Sequence, residues 1–253
     1  WGLLDYYDLT GDLDALEAAI DLGENVEQLW MWRKEYHPLY GTRAVARSLH
    51  FVVRLYDATD DPRWKKLADH IVEMMLATSY WQEKWGTYAY PRQAGGWYVS
   101  PHHNAELHTA FARYDERIGN PEVKRRLVRM SEFVRDHALH PKWQQSAKSL
   151  SLDLPRPGSI QYQDWSDDVE PVMNPYHTFA WVDTLVRGYR LTGDPAFLNR
   201  ARYFWDRGSK AQYRKPANFR AAGDGVVGNF ANAHFNCCGN HPVFFRMNGE
   251  LQF

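Results

Sequence analysis

Four stretches of this chain gather side chains that move protons or bind anions. The first holds Tyr36, His37, Tyr40 and Arg43, and the second Trp97, His102, His103, Asn104, Glu106 and His108. The third contains Asp164, Trp165, Asp167, Asp168, Glu170, Asn174, Tyr176 and His177; the fourth runs from Asn229 to His241 and includes Asn232 and His234. Every stretch carries a histidine, and three carry asparagine. Such a set suits elimination beside a carboxylate. Amide, guanidinium or imidazolium donors neutralise the carboxylate and acidify the adjacent C–H. A neutral His or an ionised Tyr removes that proton, and a Tyr hydroxyl protonates the departing oxygen. The chemistry requires no metal and no other cofactor.

Positioning four such stretches takes a repeating scaffold, and the chain has one. An apolar helix ending in Tyr, a tight polar turn and a second amphipathic helix recur four times. The turns begin at Tyr7, Tyr56, Tyr114 and Tyr189, spaced 49, 58 and 75 residues apart. In each, Gly or Asp ends one helix and Asp or Asn caps the next; Pro62, Pro121 and Pro195 take first helical positions, where a missing N–H costs nothing. Helices after the turn carry one apolar stripe, as in Trp64, Leu67, Ala68 and Ile71, or Phe197, Leu198, Ala201 and Phe204. Helices before it, Ala44–Tyr56 and Thr178–Tyr189, are apolar over more of their surface. Inner and outer layers need that difference. The expected fold is all-α, an (α/α) toroid of inner–outer hairpins in a single domain spanning residues 1–253. Four hairpins do not close a ring of six or seven, and Trp1 opens inside an amphipathic stretch, so the ring is expected to be incomplete and the chain a fragment. A tetratricopeptide array would repeat regularly near 34 residues, which these hairpins do not. Parallel inner helices would bring the four polar stretches to one rim. A Ser-, Pro- and Asp-rich insertion from about Trp143 to Met173 reads as a long functional loop on that rim.

Bulk composition narrows the function. A formal net charge of -1 argues against a nucleic-acid partner, and no apolar run is long enough to span a bilayer. The 11 Trp and 15 Tyr include faces suited to stacking on sugar rings, although core packing accounts for most of them. Cys237 and Cys238 are adjacent and the only cysteines, so there is no disulfide framework. No signal peptide is seen.

The repeat pattern, with the Asn104/His103 pair and the Asn174/Tyr176/His177 group, resembles the α/α-toroid polysaccharide lyases that act on alginate, glucuronan and glycosaminoglycans. The resemblance implies β-elimination on a polysaccharide or oligosaccharide containing uronic acid, by a secreted or periplasmic enzyme. In that frame Asn174 or Asn104 neutralises the carboxylate and Arg43 pairs with it bidentately. Tyr176 is the general acid and, in one version, also the base; His103 or His177 is base or second donor. His37, Tyr40, Trp97, His102, Trp165, Asn232 and His234 are the expected substrate-binding residues. Two rivals share the scaffold. A glycoside hydrolase would draw a carboxyl pair from Asp164, Asp167, Asp168, Glu170 and Glu106. In a variant of that reading, Cys237-Cys238-Gly239-Asn240 resembles the cysteine pair of the β-L-arabinofuranosidase family, but the third cysteine of its zinc site has no counterpart. A sugar epimerase of the N-acylglucosamine type would use His as acid and base.

Overall fold

The structure, a computed structural model, describes residues 2–33, 41–91, 97–99, 101–137 and 180–213. Eight helices make up most of it: α1 (Gly2–Thr10), α2 (Leu13–Trp30), α3 (Gly41–Thr59), α4 (Pro62–Ala77), α5 (Pro101–Arg117), α6 (Pro121–Asp136), α7 (Ala180–Thr192) and α8 (Pro195–Tyr213). Two small ribbons stand between α4 and α5, where the hydrophobic pattern points to no strand. β1 (Trp81–Gln82) pairs with β2 (Thr87–Tyr88), and β3 (Tyr90–Pro91) runs antiparallel to β4 (Trp97–Tyr98). Two-residue strands are too short to show a period-two alternation.

The recurrent turn has a single construction. Each first helix ends three residues past its Tyr, at Thr10, Thr59, Arg117 and Thr192. The Tyr carbonyl accepts the N–H of the next residue: Gly11 (2.7 Å), Asp60 (2.9 Å), Ile118 (2.8 Å) and Gly193 (2.7 Å). Positive φ follows at Gly11, Asp60, Gly119 and Gly193, reversing the chain. In three turns a threonine locks the bend. The Thr10, Thr59 and Thr192 hydroxyls donate to the carbonyls of Tyr6, Leu55 and Gly188 and accept from the N–H groups of Asp12, Asp61 and Asp194. Those aspartates then cap α2, α4 and α8. The third turn is one residue longer; Asp115 takes over the threonine's accepting role toward the Asn120 N–H, and Asn120 caps α6. A Cβ at Gly193 would meet nothing within 4 Å, so Gly193→Ala isolates the conformational cost. It is expected to lower stability by roughly 1 kcal/mol, and Gly193→Asn by less, as measured by urea denaturation. Equal midpoints for all three proteins would refute this construction.

By its contacts the chain forms two compact units, Trp1–Trp81 with Glu106–Leu127, and Gln82–Ala105 with Val128–Phe253. In the first unit, α3 is buried on several sides, with Phe51, Val52, Val53 and Leu55 all at most 6 % exposed, whereas α4 buries one stripe including Trp64, Leu67, Ala68 and Ile71. Ion pairs fix the direction of neighbours. Near its start α3 meets α5 through Arg43 and Glu106, and near their ends the two helices meet through Asp57 and Arg117 (2.9 Å). They therefore run parallel. The second-layer helices do the same: Arg63 of α4 reaches Glu24 and Glu27 of α2, and further along His70 Nε2 lies 3.1 and 2.9 Å from the carbonyl oxygens of Trp30 and Arg33. The expected inner-and-outer arrangement is present in this unit.

The second unit packs α7 and α8 against the end of α6. Trp181, Phe133, Phe197 and Phe204 lie in one core with Val182, Leu185 and Val186, each large side chain contributing about 2–3 kcal/mol by burial. Residues 181–186 of α7 are all buried, the signature of an inner helix, while α8 buries Phe197, Ala201 and Phe204 on one side. Gly188 permits that approach, because a Cβ there would sit 2.8 Å from both Phe197 and Ser131. Ser131 Oγ donates to the Thr184 carbonyl (3.0 Å) and Arg135 pairs with Asp194 (2.8 Å).

Candidate functional site

Several of the chemistry-bearing residues lie inside helices rather than in the loops before them. α5 starts at Pro101, so His102, His103, Asn104, Glu106 and His108 occupy its first two turns. Arg43 likewise lies in the first turn of α3. Proline at the first helical position explains the early start of α5, since it lacks only an N–H that would be unpaired anyway.

In the second unit, Asn104 is fully buried. Its Nδ2 donates to Thr87 Oγ1 (2.9 Å) and to the Tyr88 carbonyl (2.8 Å), both in β2 and both buried. The amide thus pins the ribbon to α5, and the N–H groups proposed to neutralise a substrate carboxylate are committed to the fold. Burial without such partners would cost about 1–3 kcal/mol per group. His103 is half-buried on the same turn. Trp97 stands in β4 opposite Pro91.

In the first unit, Glu106 is the junction. Arg43 Nε donates to its Oε1 (2.9 Å) and Arg47 Nε to its Oε2 (3.1 Å), so one carboxylate bridges two guanidinium groups. Its side chain is 7 % exposed, against 30 % for Arg43 and 54 % for Arg47. Arg47 carries no sequence signal of its own; one turn beyond Arg43 on an amphipathic helix, it reads as a solvated charge until the position of Glu106 is known. His108 is fully buried one half-turn further along α5.

Other polar groups are structural. His70 ties the end of α2 to α4. Tyr114 donates its hydroxyl to Asp69 Oδ1 (2.7 Å); burial, and then that bond, push its pKa well above the usual tyrosine range. It therefore stays protonated and is no counterpart of the proposed Tyr176 acid. Among the described residues no group of three His, Cys, Asp or Glu could hold a metal ion, and no helix is long and apolar enough to cross a membrane.

His37, Tyr40, Trp165, Asn174, Tyr176, His177, Asn232 and His234 lie outside the described residues, as do the insertion from about Trp143 to Met173, the Asp164–Glu170 carboxylates and the cysteine pair.

No protein family and no curated protein matches the sequence. Solved structures do. A sugar epimerase from a ruminal bacterium superposes with a TM-score of 0.62 at 17% identity, over 81% of this chain and 56% of that one. The α-1,6-mannanase GH76A of Salegentibacter sp. HEL1_6 gives 0.58 at 17% identity, over 81% and 56%. A polysaccharide lyase gives 0.59 at 14% identity, over 81% and 56%. The chain spans little more than half the length of each. At these identities the likeness shows the fold alone, and that fold is an α/α-toroid.

Proposed function

We propose that this chain belongs to a carbohydrate-active enzyme, a secreted or periplasmic polysaccharide lyase that cleaves a uronic-acid-containing glycan by β-elimination. The reading is supported by the recurrence in the sequence of stretches rich in His, Asn, Tyr and Arg, on a scaffold whose solved neighbours include a polysaccharide lyase. In the proposed reaction, His177 or His103 takes the C5 proton of the uronate, and the electron pair of that C–H bond forms the C4=C5 double bond. The C4–O bond breaks, and Tyr176 gives its proton to the departing glycosidic oxygen. Asn174 donates to the carboxylate and stabilises the charge that develops as C5 loses its proton.

In the hydrolase alternative, Glu106 would serve only after releasing the two arginines that hold it. The carboxyl pair would otherwise come from Asp164, Asp167, Asp168 and Glu170. The epimerase alternative is supported by the likeness to a sugar epimerase.

One survey separates the three. Incubation with alginate, glucuronan and glycosaminoglycans is expected to raise the ultraviolet absorbance of the unsaturated uronate. Release of saturated reducing ends without that absorbance would identify a hydrolase. Interconversion of free sugars with no chain cleavage would identify an epimerase, and either result defeats the lyase reading.

A further inference from the structure

We infer that Arg43 and Arg47, clamped side by side by Glu106, form a receptor for an oxyanion carried on a sugar, a carboxylate or a sulfate ester. The inference rests on the reading of the chain as a glycan-acting protein and specifies the charge of its ligand.

Arg43 and Arg47 are four residues apart on α3, a spacing at which like charges repel. Glu106 removes that penalty by giving one oxygen to each Nε, at 2.9 and 3.1 Å. One anion between two cations leaves the cluster with an excess positive charge. The order of exposure is telling: the carboxylate is 7 % exposed, Arg43 30 % and Arg47 54 %. The anion is the least exposed of the three groups, and both guanidinium groups reach solvent. Each guanidinium has five N–H donors in a rigid plane. Among the described residues neither Arg43 nor Arg47 has any partner besides Glu106.

The second arginine, half exposed, adds little stability of its own. What the pair does add is orientation: two forks held at a fixed separation by one buried carboxylate, ready to meet the planar or tetrahedral oxygens of an anion. The chain as a whole is near neutral, so this charge is local rather than part of a general basic surface. The cluster sits at the starts of α3 and α5, beside the other sugar-directed candidates in the sequence.

The test is calorimetric titration of the full chain with three trisaccharides: a glucuronate trimer, a sulfated neutral-sugar trimer and neutral mannotriose. At least one anionic trimer is expected to bind more tightly than mannotriose, and more weakly as salt is raised. Arg43→Gln and Arg47→Gln are each expected to weaken that binding roughly tenfold to hundredfold, leaving mannotriose unaffected. Arg47→Lys keeps the charge but loses the fork, and is expected to fall between. The anionic trimer that responds identifies the source of the oxyanion. No binding of either anionic trimer at millimolar concentration, binding of mannotriose equal to theirs, or unchanged affinity in Arg47→Gln would each overturn the receptor. Because Arg47 is exposed, an unchanged denaturation midpoint is expected and excludes misfolding as the cause. Arginine-dependent anion binding with no unsaturated product would leave the receptor standing and defeat the lyase. Unsaturated product with binding indifferent to both arginines would do the reverse.

Discussion

Asn104→Asp is expected to lower the stability of the folded chain by roughly 3–5 kcal/mol at neutral pH, the range found when a charge is left buried without a partner. The side chain is fully buried, and its Nδ2 donates to Thr87 Oγ1 and the Tyr88 carbonyl. Aspartate places an oxygen where that nitrogen stands. The Thr87 hydroxyl can rotate to donate, but the Tyr88 carbonyl cannot, so two acceptors face each other with a charge on one. Burial also raises the folded-state pKa of the new carboxyl above its unfolded value of about 3.9. The sign follows from that: the unfolded chain ionises first, so the destabilisation grows as pH rises from about 4 and disappears below it. Urea denaturation at acid and neutral pH measures both. If Asn104 is instead a donor to substrate, the variant will keep its midpoint at neutral pH and lose only activity, and the structural role assigned to this amide is then wrong.

Arg126→Met is expected to cost about 3 kcal/mol. Only 7 % of this side chain is exposed. Its Nη1 and Nη2 donate to the carbonyls of Met75 (3.0 Å) and Leu76 (2.8 Å), in the last turn of α4, where carbonyls have no partner within the helix. Its Nε pairs with Glu122 (2.9 Å), and the guanidinium lies 4.6 Å from the centre of the Trp81 ring. Methionine fills much of the volume but satisfies none of the acceptors. For a chain of this size the midpoint of thermal unfolding is expected to fall by roughly 6–12 °C, at 2–4 °C per kcal/mol. Arg125→Ala is the control. Arg125 also pairs with Glu122, and holds its carboxyl below the usual range more strongly than Arg126 does, but it is 43 % exposed. That variant is expected to stay within about 0.5 kcal/mol of the parent. Similar losses in the two variants would show that the α4 carbonyls are satisfied in another way.

Both predictions concern polar residues whose roles depend on distant partners, and here the reading of the sequence reached its limit. The helices were legible because their signals are local. Tyr and Asp or Asn recur at each turn with Thr, Gly and Pro at most of them, and the bonds that close and cap the turn, from the Tyr56 carbonyl to the Asp61 cap, span five residues or fewer. The difference between α3 and α4 was legible because apolar spacing reports how much of a helix is covered. The candidate site was legible as a set of residue types near helix starts, but not as a set of roles. Asn104 and Arg43 looked alike as donors for a carboxylate. One proved to be committed to a ribbon too short to leave a pattern, the other to pair with a glutamate 63 residues away. Arg47 gave no signal at all.

The sequence by itself therefore determined the hairpins, their turns and the all-α class, since capping, chain reversal and amphipathic spacing act within a few residues. Tertiary structure alone decided which helices run parallel, which histidine ties two helices together and which charged groups share a junction. The physical reason is distance in sequence. The Arg43–Glu106, Asn104–Thr87 and Arg126–Met75 pairs are separated by 63, 17 and 51 residues, and neither periodicity nor local propensity reports on a hydrogen bond that closes only when the helices pack.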